Sequence, residues 1–230
     1  MKLGAAVLCV LWFAASQVRA EQEFTDHATF FDYVARTEQA SLVFVRRPLG
    51  AATPVDRDVA VEGLARRWGS VRLARDAVIL NGKRFTWSGA KRVWGRPAQV
   101  AMDIEIAQVW EQPEQPRICV QSAAGRSGSG ARWQHVVVIE RATRQAKPRL
   151  LTWTSPYGSC QAVFADDRNR VIAGTFEMSF ESESAISAAA FSLRSLSSGE
   201  QTARYKLTLH DPGNAFAFAA EKLPAAPPAR

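Results

Sequence analysis

The chain has 230 residues, enough for one sizeable β domain or two small ones, and carries a formal charge of +7 from 29 basic and 22 acidic residues. The arginines are scattered in ones and twos (Arg46-Arg47, Arg66-Arg67), so the charge implies modest attraction to anionic surfaces but excludes the dense basic stripe of a nucleic-acid site. After the first 20 residues no apolar run approaches the ~18 residues of a membrane-spanning helix, so no membrane span is expected there.

Residues 1–20 read as a secretory signal peptide. Met1-Lys2 is a short positive start, Leu3 to Ala15 is apolar and uncharged, and Val18 and Ala20 occupy the two positions a signal peptidase reads. Cys9 follows the bulky Leu8 inside the apolar run, which argues against a lipid anchor there. Cleavage after Ala20 would place the chain in the periplasm or outside the cell and leave two cysteines, Cys119 and Cys160. In an oxidising compartment an even count with no C-x-x-C spacing predicts one structural disulfide.

Residues 21–222 then read as a single mainly β domain. Glu21 to Gln39 is the expected N-terminal helix: Thr25 or Asp26 can cap it, and Phe30, Phe31, Val34 and Ala35 share one face. Ala40 to Arg46 is an expected strand, stopped by Pro48, and residues 50–58 form a loop. Residues 70–75 alternate. Ala77 to Leu80 and Arg84 to Trp87 flank Asn81-Gly82, a hairpin signal because both turn residues tolerate positive φ. Gln99 to Trp110 alternates like a strand, with Asp103 and Glu105 opposite Met102, Ile104 and Ile106. The proline-punctuated segment 111–116 reads as a long loop, or as a boundary between two lobes.

Between the cysteines, the loop Gly125 to Gly130 separates Cys119 from two β-forming runs, His135 to Ile139 and Leu150 to Trp153. Further strands are expected at Gln161 to Ala165, Val171 to Phe180 and Ala203 to Leu209, with turns at 166–169 and 211–214 and a returning arm at Phe216 and Phe218. Residues 185–196 suit helix or strand and are read as strand from their neighbours. Residues 223–230, rich in proline, read as a disordered tail. The sum is an antiparallel sandwich or a barrel-like meander, with one N-terminal helix and a single disulfide.

Catalytic signals are weak. The loop has Ser127 and Ser129, with His135 a few residues on, and this trio is the basis for an alternative reading as a secreted serine-type hydrolase. Yet the fifth place of Gly125-Arg126-Ser127-Gly128-Ser129 is not glycine, so a nucleophile elbow is absent, and no Gly-Lys-Ser/Thr follows to make a phosphate loop. Asp103 and Glu105 sit on one strand, whereas paired catalytic carboxylates normally flank a substrate from different elements. Asp166, Asp167 and Asn169 lack the glycine and distal Glu of a calcium loop, and the three histidines lack zinc spacing, so neither metal nor cofactor is expected.

Trp87, Arg92 and Trp94 lie in Arg/Gly-rich surroundings and are the candidate binding surface. The leading expectation is a non-enzymatic, exported envelope protein that binds a protein or glycan partner.

Overall fold

The computed structural model describes residues 21–42, 44–50, 58–94, 101–141, 145–182 and 185–224. The signal-peptide segment and residues 225–230 of the expected tail lie outside them. In chain order the elements are β1 (Gln22–Phe24), α1 (His27–Thr37), β2 (Ser41–Leu42), β3 (Val45–Arg47), β4 (Asp58–Ala60), β5 (Val71–Ala74), β6 (Ala77–Leu80), β7 (Lys83–Thr86), β8 (Lys91–Arg92), β9 (Gln108–Gln112), β10 (Arg117–Ala123), α2 (Gly128–Arg132), β11 (Trp133–Glu140), β12 (Arg149–Pro156), β13 (Val163–Ala165), β14 (Val171–Phe180), β15 (Ile186–Ser195), β16 (Gln201–Leu209) and β17 (Phe218–Lys222).

Among the described residues the strands form three sheets. One has seven strands in the order β1-β17-β16-β15-β14-β13-β2, one has six in the order β3-β9-β10-β11-β12-β8, and one has four, β4-β5-β6-β7. Pairing is antiparallel except between β12 and β8. The fold is mainly β, with its sheets stacked face on face.

The six-stranded sheet is the middle layer, and this explains its composition. Cys119, Val136, Val138, Leu151 and Trp153 pack on Val163, Val171 and Ala173 of the seven-stranded sheet. The alternate residues Ile118, Val120, Val137, Ile139 and Leu150 pack on Trp68, Val71, Leu73 and Val78 below the small sheet. A strand buried on both faces has no solvated side to make polar, so 136–139 is an unbroken apolar run.

The far face of the seven-stranded sheet is covered by α1. Asp26 caps this helix, its carboxylate accepting from Thr29 N at 2.8 Å. The expected stripe of Phe30, Phe31, Val34 and Ala35 is buried against Phe176, Phe191, Tyr205 and Phe218. The helix starts six residues later than the sequence suggests, because residues 22–24 pair with β17 as an edge strand. An edge position offers those three residues a full ladder partner, which outweighs one more helical turn.

Other boundaries also move. The strand expected over 40–46 is two strands, β2 in the seven-stranded sheet and β3 in the six-stranded one, where the chain crosses between layers. Of the strand expected over 99–110, residues 99–100 lie outside the described residues, 101–107 are not strand, and β9 begins at Gln108. Ahead of it, Asp103 accepts from Glu105 N at 3.1 Å, a side-chain turn that competes with extension. Glu111 and Gln112 belong to β9, and the turn after them joins it to β10 as a hairpin. Gly125 to Gly130 runs into the five-residue helix α2, and residues 160–162 form a 3₁₀ turn ahead of β13. Residues 186–195 are strand. Asn81 (φ 51°) and Gly82 (φ 79°) make the anticipated hairpin turn. Leu223 remains tied to the fold, its N–H donating to Arg204 O at 2.9 Å.

Cys119 and Cys160 are bridged, with both residues fully buried. The bridge ties the centre of the middle sheet to the chain's exit toward the seven-stranded one. Gln121 reinforces it by accepting from Cys160 N at 2.7 Å.

Candidate functional site

The seven-stranded sheet extends beyond the cover of the middle layer, and a groove opens there. Register builds its floor. Thr175 stands opposite Ser192 and Ser192 opposite Arg204; one step along, Glu177 stands opposite Ala190 and Ala190 opposite Lys206. Ser179 faces Ala188 in the next row. These residues share the face that Val171 and Ala173 bury against the middle sheet, because alternate residues of a strand point the same way. The groove has a volume of about 790 Å³, and Trp94, Trp133, Ser155 and Pro156 wall it on the side of the middle sheet.

Small side chains make the floor shallow, and long cations rim it. Arg194 Nη2 lies 3.3 Å from Glu177 Oε1, and Arg204 Nη2 lies 3.1 Å from Glu177 Oε2. The one carboxylate is thus shared by two guanidiniums. Lys206 has no ion-pair partner among the described residues. Arg194, Arg204 and Lys206 against Glu177 leave the groove with two net positive charges.

The inner wall holds unsatisfied polar atoms. The rings of Trp94 and Trp153 stack with centroids 5.2 Å apart and planes tilted by 31°. Both indole Nε1 atoms, Ser155 Oγ and Ser192 Oγ are buried with no hydrogen-bond partner. Buried polar groups are normally paired, because leaving one unpaired costs about 1–3 kcal/mol. Trp153 and Ser192 are fully buried and do not line the groove, so these atoms belong to the packed junction between the two sheets behind it.

The residues singled out in sequence distribute differently. Trp94 reaches the groove. Arg92 is exposed on β8, two residues earlier, and does not line it. Trp87 does not face solvent: it is 5% exposed and its Nε1 donates to Ala74 O at 3.3 Å. Its charged neighbours point outward while the ring turns inward at the end of β7.

Of the hydrolase constellation, Ser127 and His135 are not brought together. His135 is 3% exposed and its Nδ1 is 2.8 Å from Thr154 Oγ1, with Nε2 buried and unpartnered. Burial holds its pKa below the ordinary imidazole value. Ser127 is exposed and no hydrogen bond joins it to His135; the side chain of Ser129 lies outside the described residues. Asp103 and Glu105 do come together, but on Arg126. That guanidinium, hydrogen-bonded to Asp103, keeps the Asp103 carboxyl ionised below its usual range, so Asp103 is no proton donor near neutrality. Asp166 Oδ1 accepts from Arg168 N at 3.0 Å and Arg170 N at 2.8 Å, so its own turn uses it. Among the described residues no group of three or more His, Cys, Asp or Glu side chains is placed to hold a metal, and no helix is long and apolar enough to cross a membrane.

The groove residues Thr175, Ala188, Ala190, Arg204 and Lys206 escape sequence reasoning. They come from three strands and meet only through register; Ala188 and Ala190, in a run of serines and alanines, carry no signal of their own. Compared with protein-family models, curated proteins and solved structures, the chain matches none.

Proposed function

We propose that this is an exported, non-enzymatic binding protein of the cell envelope, periplasmic or secreted, whose glycan or protein partner lies in the groove between the seven- and six-stranded sheets. The observation that carries the reading is the groove's construction: a floor of small side chains, indole walls at Trp94 and Trp133, and the cationic side chains of Arg194, Arg204 and Lys206 beside them. Large aromatic side chains beside fixed polar groups are what binding sites use for affinity and orientation. The bridged Cys119–Cys160 pair supports export, since such bonds persist in oxidising compartments.

A panel of immobilised envelope glycans and envelope proteins, probed with the purified chain, tests the reading. Ala190→Trp, which fills the floor without touching the core, should abolish capture. Capture that survives this substitution moves the site elsewhere. A serine-reactive fluorophosphonate should leave the folded protein unlabelled, because His135 is buried and its Nδ1 is hydrogen-bonded to Thr154 rather than to Ser127.

A further inference from the structure

A second cavity, of about 490 Å³, opens where the turn between β6 and β7 meets the loop between β11 and β12, and it shares no lining residue with the groove. Leu80, Lys83 and Phe85 line it from the hairpin, Arg141 and Lys147 from the loop. We propose that this cavity is a binding site for a phosphate group, drawn in by the Lys83 and Lys147 ammoniums and held against the Arg141 guanidinium.

Arg141 is the anchor. It is only 9% exposed, its backbone N–H donates to Pro116 O at 3.0 Å, and its Nε donates to Ala146 O at 3.2 Å. Those bonds fix the guanidinium, yet its Nη1 has no hydrogen-bond partner. The described residues lining the cavity include no Asp or Glu. The carboxylates of Asp76 and Glu140 are engaged elsewhere, Asp76 by Arg84 and Glu140 by Arg117 and Arg149. A guanidinium withdrawn from water with no counter-charge is costly, and an anion reaching it offsets the cost. Lys83 and Lys147 are exposed and have no ion-pair partner among the described residues. Lys83 Nζ sits 5.8 Å from the centroid of the Phe85 ring, which steadies the ammonium without neutralising it.

These burials set an order of entry. An anion from solvent meets two exposed ammoniums before the buried guanidinium, whose pairing salt screens least. Three cations facing no carboxylate suit a dianion better than a single carboxylate, and a phosphate group brings three acceptor oxygens. The cavity is larger than one phosphate ion, so a phosphate ester fits it as well as the free ion.

Titration calorimetry and thermal melts of the purified chain with inorganic phosphate, glycerol phosphate, succinate and chloride, at matched ionic strength, test the site. Phosphate or its ester should bind saturably and raise the melting midpoint. Lys83→Gln with Lys147→Gln should weaken that binding by about tenfold or more, as should Arg141→Met. The two lysines are exposed, so their variant reports binding even where Arg141→Met fails to fold, and circular dichroism checks both. Tighter binding of glycerol phosphate than of inorganic phosphate assigns the ester, and the reverse assigns the free ion. Succinate bound as tightly as phosphate overturns the phosphate assignment. A melting shift that chloride equals, no saturable binding of either phosphate, or an affinity unchanged in the lysine variant overturns the site. Ala190→Trp should leave phosphate binding untouched; its loss there would place the anion in the groove and overturn this site too.

Discussion

Gly174 lies directly beneath the ring of Phe191: a Cβ placed on Gly174 would stand 2.0 Å from Phe191 Cζ. The contact sits where β14 and β15 meet α1, with Phe191 fully buried and its ring in edge contact with Phe30 at 4.9 Å and Phe176 at 5.0 Å. Nothing in that aromatic cluster can retreat without moving another ring. Gly174→Ala should therefore destabilise the fold by at least the ~1–3 kcal/mol typical of overpacking. Urea titration reads it as a lowered midpoint at unchanged slope. An unchanged midpoint would mean that the α1 layer is loosely held against the sheet.

The Cys119–Cys160 bridge closes a loop with a sequence separation of 41. In the chain-entropy account such a loop contributes about 4 kcal/mol. Cys119→Ala with Cys160→Ala should lose about that much, and the intact chain should gain two hydrogens' mass on reduction. Two free thiols in protein isolated from the envelope would contradict both the bridge and the export reading.

How far the sequence reveals this fold depends on what each strand faces. β16 alternates legibly, with Ala203, Tyr205 and Leu207 buried and Arg204 and Lys206 exposed, because α1 covers only one side of its sheet. Residues 136–139 are legible for the opposite reason, being covered on both. Residues 101–107 mislead: they alternate, but Asp103 turns on Glu105 N and Arg126 gathers both carboxylates, contacts that no periodicity encodes. The groove is less legible still. Trp94 stood out as an aromatic among basic residues, but the floor it faces comes from strands 80 to 110 residues downstream, aligned by register alone.

Trp87 and Trp133 should separate stability from binding. Trp87 belongs to the cluster between the small sheet and the middle sheet, so Trp87→Ala should cost about 3–5 kcal/mol, as large aromatic truncations in cores do. Trp133 is half-buried at the groove's end, opposite Pro156. Trp133→Ala should cost far less stability and remove most of the ligand affinity. Thermal melts beside glycan titrations distinguish the two. If Trp87→Ala left the melt unchanged while weakening binding, the binding surface would lie around β7 and β8 instead.

Buried His135 and half-buried His27 predict how stability varies with pH. Burial lowers the pKa of His135, and partial desolvation of His27 does the same despite its bond to Ala215 O and the nearby Asp26 charge. In the unfolded chain both rings would titrate near the ordinary value of about 6.5. Below that pH the unfolded state takes up protons that the folded state resists, so stability rises with pH through this window and is lost as pH falls below it. The carboxylates held ionised, Asp26, Asp76, Asp103 and Asp166, have pKa values lowered from an already acidic one, so their contribution fades only at lower pH. The interval from pH 7.5 to 5 thus isolates the histidines. Urea midpoints should fall across it, and His135→Gln or His27→Gln should each flatten the dependence by removing one titrating ring. A midpoint that rises as pH drops would mean that these imidazoles are protonated in the folded protein, contrary to their desolvation.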